Sequence, residues 1–308
     1  MSSPFGRLTL IINPRAGRGS VRKKLPAIEQ ALRERDLEYD VRVTEGPGDA
    51  TRLAHRAVEA GGRFVVAVGG DGTVHEVVNG LLHEDAAVHP ESVLGVVSAG
   101  SGSDFVRTFG LPPEAVGAVR RLAGAETRPL DVGKVSYLDQ EGRPASRYFA
   151  NIAEAGLGGS TARRAAALPA WLGPARYFFG FWLVLPAYRA CSARVDVDDE
   201  PVYEGRAVNV VVANCRFFGG GMQISPRSDP ADGALDVQVY TGPKSDSFTT
   251  LPRVYSGSHL PHRNVVELKG ARFRLHGEQS MEIEADGEVL GTTPATIEVL
   301  PRPLALKV

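Results

Sequence analysis

The sequence predicts two domains of different class, an α/β domain with a parallel sheet followed by an antiparallel β-sandwich domain. The chain has 308 residues, long enough for about two domains of ordinary size. Strand and helix patterns alternate over residues 1–130, whereas short strand patterns prevail over residues 131–300. The 35 glycines and 21 prolines exceed the average share, which indicates many turns or sites lined by backbone.

The first domain contains four strand patterns in alternation with three helix patterns. Apolar runs predict strands over residues 7–12, 38–43, 63–68 and 93–97. Apolar residues at helical spacing predict helices over residues 21–35, 49–59 and 73–82. This order predicts a parallel sheet with helices on both faces.

The second domain consists mainly of short strands. They are predicted over residues 131–137, 146–152, 194–197, 207–213, 235–240, 265–269, 272–276, 281–285 and 295–300. A helical insertion interrupts them near residues 160–188. Successive short strands of this kind predict an antiparallel sandwich, and we expect the tail, residues 301–308, to return to the first domain.

The composition excludes several classes of protein. A formal net charge of −1 argues against nucleic acid as the main partner. Cys191 and Cys215 are too few for a disulfide scaffold, and we expect both to be reduced. The N-terminus lacks the features of a signal peptide, and the longest apolar stretch, residues 177–187, is about half of a membrane span. We therefore expect a cytoplasmic protein that is soluble or peripheral to the inner face of the membrane.

A glycine loop over residues 68–73 is the first candidate site. It lies between a predicted strand and a predicted helix, at the edge of a parallel sheet where α/β proteins bind ligands. Glycines let backbone approach a phosphate closely, and the following helix offers N–H groups to an anion. Asp71 would repel a bare phosphate, which suggests Mg²⁺ or a hydroxyl donor between them. The alternative is a plain turn between strand and helix.

Two more loops repeat this chemistry. Residues 98–104 follow the fourth strand with small residues, hydroxyls and a carboxylate, and residues 13–19 follow the first strand. Three such loops at one sheet edge predict a polyphosphate site. Neither the P-loop pattern nor the protein-kinase motif set is present.

These loops and five later motifs resemble the diacylglycerol kinase catalytic-domain family, which includes bacterial soluble lipid kinases and sphingosine kinases. The resemblance covers nearly the whole chain. It implies a nucleotide-binding α/β domain of the NAD kinase and diacylglycerol kinase type, a β-sandwich lipid domain, and an active site in the cleft between them. The later motifs are Asn79-Gly80, Asp131-Val132-Gly133, Gly219-Gly220-Gly221, Asp232-Gly233-Ala234 and Asp286-Gly287-Glu288.

The resemblance implies a set of nucleotide contacts in the first domain. The sequence departs from the family pattern at Ser98, where proline is usual, and at His75 and Ser103, where asparagine is usual. The implied contacts are Asn13, Thr44, Gly69, Gly70, Asp71, Gly72, Thr73, Val74, His75 and Ser101.

Two metal sites are also expected. Asp71, Asp104 and Asp131 fall near the sheet edge and could hold Mg²⁺ directly or through water, although Asp131 could instead cap a domain crossing. The segment of residues 228–234 resembles the family's second metal site. There Asp232 would be the side-chain ligand, with Asp229 and the carbonyl of Ala234; a turn without metal is the alternative.

The family places its general base in the second domain, at the motif of residues 286–288. We expect Asp286 to accept the hydroxyl proton, with Glu288 as the close alternative and Asp71 as a third candidate. Asp-Gly is also a strong hairpin signal, so a simple turn is the structural alternative.

An aromatic segment suggests the lipid side. Seven of the 22 aromatic residues lie within residues 171–188, and arginines flank them. They form either a buried helix face or a surface that contacts the lipid interface or lines an acyl pocket.

The sequence therefore predicts an ATP- and Mg²⁺-dependent lipid kinase that phosphorylates a hydroxyl of diacylglycerol or a related long-chain lipid at the membrane surface. The alternatives are a kinase of a soluble alcohol, in the manner of NAD kinase, and a nucleotide- or lipid-binding protein without turnover. We expect no nucleic-acid partner, and the sequence leaves open whether the protein is a monomer or a homodimer.

Overall fold

The computed structural model describes residues 3–99, 103–173 and 175–308, which divide into two compact units. The first unit is Met1–Val132 together with Leu300–Val308, and the second is Gly133–Val299. The chain passes from the first unit to the second within one long strand and returns within another.

The first unit is built from alternating strands and helices that end in the first long strand. Its strands are β1 (Leu8–Ile12), β2 (Tyr39–Val43), β3 (Phe64–Gly69), β4 (Leu82–His83), β5 (Ala86–Ala87), β6 (Val93–Ser98) and the beginning of β7 (Thr127–Leu138). Its helices are α1 (Ala16–Arg33), α2 (Asp49–Glu59), α3 (Asp71–Leu81), α4 (Asp104–Thr108) and α5 (Ala115–Leu122).

The sheet of the first unit is parallel, as predicted. β1 pairs with β2 on one side and β3 on the other, and β3 pairs with β6. β3 and β6 are buried along their whole length, which fits their continuous apolar runs. β2 lies at the end of this order, and its residues are half-buried or exposed, with none buried.

The second unit contains the remaining elements. Its strands are the end of β7, β8 (Pro144–Phe149), β9 (Ile152–Gly156), β10 (Cys191–Val197), β11 (Glu200–Ala207), β12 (Asn209–Ala213), β13 (Leu235–Tyr240), β14 (Val265–Gly270), β15 (Arg272–His276), β16 (Glu282–Ala285) and most of β17 (Glu288–Lys307). Its helices are α6 (Leu157–Ala166), a 3-10 turn over Ala170–Leu172, α7 (Ala175–Val184) and α8 (Asp246–Val254).

Antiparallel pairing organises this second unit, which confirms the predicted class. β9 pairs with β12 and β16, β12 with β13, and β13 with β14. β10 pairs with β11 and β15, and β15 pairs with β17. The core between these strands includes Phe149, Val212, Phe273 and Ile297, all fully buried.

Several predicted boundaries were wrong in detail. The strand expected over residues 146–152 is two strands, because Ala150 and Asn151 form a bend between β8 and β9. The strand expected over 295–300 is part of the 20-residue β17, which carries the chain back to the first unit. Helices α4, α5 and α8 were not predicted. Cys191 and Cys215 are both buried, and neither forms a disulfide.

Candidate functional site

The three predicted glycine loops of the first unit begin where β1, β3 and β6 end, at one edge of its sheet, and residues 100–102 of the third loop lie outside the described residues. The parallel register places Ile12 opposite Val68, and Gly69 opposite Ser98, so the three strands end at the same level. Asn13, the first residue after β1, donates a hydrogen bond from Nδ2 to Thr73 Oγ1 over 3.2 Å. This bond therefore joins the first loop directly to the beginning of α3, the helix that follows the second loop.

Glycine is required where these loops approach each other. A Cβ on Gly69 would lie 2.7 Å from the Cβ of Thr73 and would also collide with its hydroxyl. Gly17 has φ +57°, and a Cβ there would collide with the carbonyl of Ala99, to which Ser20 Oγ donates over 2.6 Å. The first and third loops thus meet through backbone that has no room for a side chain.

Asp71 connects the second loop to the third. Its Oδ2 accepts the N–H of Asp104 over 3.2 Å, and its Oδ1 accepts the N–H of Phe105 over 3.1 Å. These amides belong to the first turn of α4, so the carboxylate caps that helix from another element. Each loop is consequently bonded to both of the others.

The other predicted nucleotide contacts lie near the same edge. Thr44 follows β2, is buried, and donates its N–H to Ile12 O over 2.9 Å. Gly70 and Gly72 lie at the start of α3, whereas the side chains of Val74 and His75 are buried, so contacts there would use backbone. Ser101 lies outside the described residues. The contacts themselves stay predictions.

The three aspartates predicted to hold Mg²⁺ have different surroundings. Asp104 is buried and pairs with Arg107 Nη1 at 3.2 Å. Asp131 is fully buried in β7, and its Oδ1 accepts the N–H of Arg302 over 2.7 Å, an arrangement that links the two crossing strands within the first unit. Over residues 3–99, 103–173 and 175–308, no three Asp, Glu, His or Cys side chains are grouped as metal ligands.

The residues at the loop edge nevertheless fit Mg²⁺ bound together with a nucleotide. Mg²⁺ in kinases usually keeps several waters and takes one or two carboxylates plus phosphate oxygens. Asp71, at the meeting point of the loops, is a suitable carboxylate for that arrangement. The Mg²⁺ network of Asp71, Asp104 and Asp131 stays a prediction.

The second predicted metal site contains a lysine. Lys269 Nζ lies 2.6 Å from Asp232 Oδ2 and 3.9 Å from Asp236 Oδ2. Asp232 Oδ1 accepts the N–H of Ala234 over 3.0 Å, and the N–H of Asp232 donates to the carbonyl of Asp229. The hydrogen bond to Asp232 raises the pKa of Lys269, so the ammonium charge is held there. Mg²⁺ at Asp229, Asp232 and Ala234 stays a prediction, and it would compete with Lys269.

Asp286 occupies a tight turn between β16 and β17 of the second unit. Asp286 and Gly287 both have positive φ, 49° and 87°, and they join the paired residues Ala285 and Glu288. The turn is the two-residue hairpin that Asp-Gly favours. The sequence motif is therefore a real hairpin as well as a candidate site.

Backbone amides hold the Asp286 carboxylate in place. Oδ2 accepts the N–H of Ala150 over 2.8 Å, and Oδ1 accepts those of Asn151 and Ile152 over 2.9 and 3.0 Å. The N–H of Asp286 donates in turn to the carbonyl of Ile152. The carboxylate is fixed in one orientation, which a positioned general base needs.

Glu288 is engaged differently. Its Oε2 accepts hydrogen bonds from Nη2 and Nε of Arg147, over 2.7 and 3.1 Å. The side chain of Glu288 is 45% exposed. A half-exposed carboxylate in a two-pronged ion pair suits charge balance or substrate orientation better than proton transfer.

A buried pair of glutamates, which no sequence motif predicts, lies beside this turn. Glu154 on β9 stands directly opposite Glu284 on β16, and the two carboxyl groups hydrogen-bond to each other. Such a bond requires a shared proton, because two ionised carboxylates have no donor. Burial raises the pKa of Glu154 to about 7, and burial and the charge of Glu154 raise the pKa of Glu284 well above its usual range.

This pair is bonded to the turn of Asp286. Glu284 Oε2 accepts the N–H of Gly287 over 2.7 Å, and the hydroxyl of Tyr177 donates to the carbonyl of Gly287 over 2.8 Å. Burial raises the pKa of Tyr177 to about 12, so this tyrosine remains a donor at ordinary pH. Both backbone groups of Gly287 are therefore held by side chains.

Two glycines of α6 allow the helix to approach these strands closely enough to bury the carboxyl groups. A Cβ on Gly158 would collide with Glu154, and one on Gly159 would collide with the backbone of Glu282. Helix α6 thus packs directly on β9 and β16 and covers their polar face. The glycine pair at residues 158–159 was the available signal for this close approach.

The helices of the described residues include none that is both long and apolar enough to span a bilayer.

Comparison with known proteins agrees with this architecture. Residues 7–135 match the family model of the diacylglycerol kinase catalytic domain, and residues 151–308 match that of the YegS C-terminal NAD kinase beta sandwich-like domain. The chain is 28% identical over 291 residues to a diacylglycerol kinase of Bacillus subtilis, which covers 94% of this chain and 91% of that protein. It is 28% identical over 295 residues to a diacylglycerol kinase of Staphylococcus haemolyticus, covering 95% and 85% of the two chains.

A solved structure shares the fold. A crystal structure from Bacillus anthracis, named a diacylglycerol kinase, superposes with a TM-score of 0.73 at 23% identity and covers 99% of this chain and 97% of its own. The resemblance seen in the motifs is thereby confirmed: this chain belongs to the diacylglycerol kinase catalytic domain family, with a YegS-type β-sandwich-like domain as its second part.

Proposed function

We propose that the protein is an ATP- and Mg²⁺-dependent lipid kinase that phosphorylates a hydroxyl of diacylglycerol or a related long-chain lipid. The observation that carries this proposal is the set of three glycine loops, each bonded to the other two at one edge of the first unit's sheet. Backbone amides and small hydroxyl side chains concentrated in this way suit a polyphosphate. The protein would act from the cytoplasm on lipid at the inner face of the membrane.

The first unit would hold the phosphoryl donor. The N-terminus of α3, which begins at Asp71, presents the positive end of the helix dipole at the loop edge. The hydrogen bond between Asn13 and Thr73 fixes the orientation of both side chains. Asp71 would help to hold the Mg²⁺ that accompanies the phosphates. Bound Mg²⁺ would supply neutralisation of charge on the phosphates during transfer.

The second unit would supply the general base. Asp286 would accept the proton of the lipid hydroxyl as its oxygen attacks the γ-phosphorus and ADP leaves. Three amides fix this carboxylate in one orientation, which supports its proposed role as the base. Glu288, held by Arg147, remains the second candidate.

Transfer of label from ATP to lipid in mixed micelles tests the proposal. The unaltered protein should label lipid, and Asp286→Asn should reduce the rate by about 10²-fold or more, the usual contribution of a general base. Labelling of a soluble alcohol such as NAD instead of lipid, or nucleotide binding without any transfer, would overturn it. An extract of cellular lipids offered as acceptor would identify the substrate.

The chain contains a matched control for this substitution. Asp198 also begins a two-residue turn with positive φ, and its carboxylate accepts the N–H groups of Ala271 and Arg272. Asp198→Asn makes the same chemical change in the same kind of turn. It should leave the rate within about twofold of the unaltered protein, and an equal loss in both variants would show that Asp286 acts on folding alone.

A further inference from the structure

The aromatic segment of the second unit is largely exposed. Trp171, Phe178, Phe179 and Leu183 have 76%, 55%, 45% and 53% of their surface accessible. The structure describes all ten residues of α7, and Gly180 is the one that is buried. These four side chains therefore do not lie on a buried helix face, whereas Tyr177 and Phe181 of the same segment are half-buried.

A second helix extends the same surface. Phe248 on α8 is 64% exposed, and its ring centroid lies 5.1 Å from that of Trp182. Trp182 also contacts Phe178 and Phe181, at 6.2 and 5.3 Å between centroids. We call Trp171, Phe178, Phe179, Trp182, Leu183 and Phe248 the aromatic surface.

Cationic residues accompany this surface. Residues 155–191 and 241–264, which contain it, carry seven arginines and lysines and one acidic residue, and one of the seven, Arg163, is ion-paired with Glu282 outside these segments. Arg164, Arg189 and Arg253 are exposed. Lys244 donates from Nζ to the carbonyl of Pro186 over 2.7 Å, which places a cation between the end of α7 and the start of α8. The surface thus combines exposed rings with positive charge.

The aromatic surface is fixed to the turn of the candidate base. Tyr177 belongs to α7, and its hydroxyl donates to the carbonyl of Gly287, between Asp286 and Glu288. Whatever binds the outer face of α7 is therefore held at a set position relative to Asp286. A substrate that stays within a lipid layer needs such an arrangement.

We infer that the aromatic surface docks on the headgroup region of an anionic lipid bilayer, with its rings in the interface and the surrounding cations on the headgroups. Aromatic rings with polar or basic neighbours favour this region of the bilayer, and each cation near an anionic surface adds to the attraction. The inference rests on the proposed function for its purpose, since it delivers a membrane-bound acceptor to Asp286.

Vesicle binding with intrinsic fluorescence tests the inference. Both tryptophans of the chain, Trp171 and Trp182, lie in the aromatic surface, so their emission reports on this surface alone. The full chain should sediment with vesicles of mixed phosphatidylglycerol and phosphatidylcholine, with a blue shift of emission. Brominated lipids should quench that emission, and 0.5 M salt should weaken the binding.

The variant Phe178→Ser with Phe248→Ser should bind these vesicles at least tenfold more weakly. Both side chains are more than half exposed, so folding should tolerate the changes, and thermal unfolding checks this. Val202→Ser, at a 44% exposed position on β11, removes apolar surface elsewhere in the same unit and should bind as the unaltered chain does.

Three results would overturn the inference: equal binding by the double variant, no blue shift on binding, or a change from dimer to monomer in the double variant without a change in vesicle binding. The last result would assign the surface to a second copy of the chain. Transfer of phosphate to a short-chain diacylglycerol that is monomeric in solution, measured on the unaltered protein, tests the kinase proposal separately. If the protein does not phosphorylate this soluble diacylglycerol, the kinase proposal fails, but the vesicle experiment still tests whether the aromatic surface binds a bilayer.

Discussion

At the scale of single residues, the loop edge depends on contacts that leave no space. Gly69 adjoins Thr73, whose hydroxyl accepts the hydrogen bond of Asn13, and Asp71 caps a neighbouring helix. These residues hold the loops together before any ligand binds. Under the proposed function, a phosphate that contacts these described residues would bind with a smaller ordering cost, because they are already held in place.

Gly69→Ala should disrupt this edge. Its Cβ would lie 2.7 Å from the Cβ of Thr73, so backbone must move, and we expect a loss of stability of about 1–3 kcal/mol and at least tenfold weaker ATP binding. Thermal unfolding and titration with a fluorescent ATP analogue measure the two effects. Gly72→Ala is the control for stability, because nothing lies within 4 Å of the added Cβ and alanine favours the helix. Equal stability of the two variants would contradict this account.

Lys269 gives a second test at this scale, with metal removal as the variable. Because its ammonium already pairs with Asp232, the unaltered protein should show the same Tm in Mg²⁺ and in EDTA. Lys269→Met should lower the Tm by about 1–3 °C in EDTA, since an exposed pair contributes little, and millimolar Mg²⁺ should restore part of this loss. A fall in the Tm of the unaltered protein on adding EDTA would instead support the metal site predicted at Asp232.

At the scale of elements, the neighbouring strands β9 and β16 bury two glutamates, although the sequence pattern of β16 predicts that its glutamates are exposed. β16 alternates Ile283 and Ala285 with glutamates, and such alternation ordinarily places the glutamates in solvent. Here α6 covers that face, so Glu284 is buried against Glu154. The pair stabilises the turn through Gly287 while resisting ionisation.

Because the pKa values of Glu154 and Glu284 are raised in the folded protein, we predict that the free energy of unfolding falls as the pH rises. The unfolded chain ionises these glutamates near pH 4.5, whereas burial keeps the pKa of Glu154 at about 7 and that of Glu284 higher than usual. The folded protein therefore binds more protons than the unfolded chain from about pH 4.5 upward, and stability is lost across pH 5 to 7.

Glu284→Gln keeps the shape and removes one of the two acids. It should stabilise the protein at pH 8 by on the order of 1–3 kcal/mol and have little effect at pH 4.5, as measured by urea unfolding at both pH values. Glu282→Gln, two residues away and ion-paired with Arg163, is the matched control and should show no such gain. A gain of equal size at both pH values would exclude titration as the cause.

The sequence predicted some elements well for identifiable reasons. β1, β3 and β6 are apolar runs that end in small or polar residues, so strand, turn and site were all visible together. The tie between Asp71 and α4 was not visible, because it joins residues 33 and 34 positions apart. Helix α8 was hidden by an internal Pro252 and by an aromatic residue whose partner, Trp182, lies on another helix.

At the scale of the whole molecule, the first unit is discontinuous in sequence. Leu300–Val308 belongs to it, and Ala305 and Leu306 pair in parallel with Val93 and Leu94 of β6. Leu304 and Leu306 are buried, and Arg302 donates its N–H to Asp131. The nucleotide-binding half proposed here is therefore completed by the last residues of the chain.

Removal of residues 300–308 should unfold the first unit selectively. Burial of Leu304 and Leu306 stabilises by about 1.5–3 kcal/mol each, and the strand pairing with β6 is lost as well. Hydrogen exchange should show loss of protection in β6 and β3, with β12 and β13 still protected, and ATP binding should be lost. Leu306→Ala is the graded control, with an expected cost of about 2–5 kcal/mol. Full protection of β6 in the truncated chain would contradict this view.

The return of β17 also sets an order of events during synthesis. The ribosome delivers residues 133–299 before it delivers the segment that completes the sheet of the first unit. Domains generally fold as they emerge, so the second unit can fold before the final strand of the first unit is available to pair with β6. The glycine loops at the ends of β1, β3 and β6 therefore lie in the part of the protein that matures last, and under the proposed function the nucleotide site would be complete only after the second unit has formed.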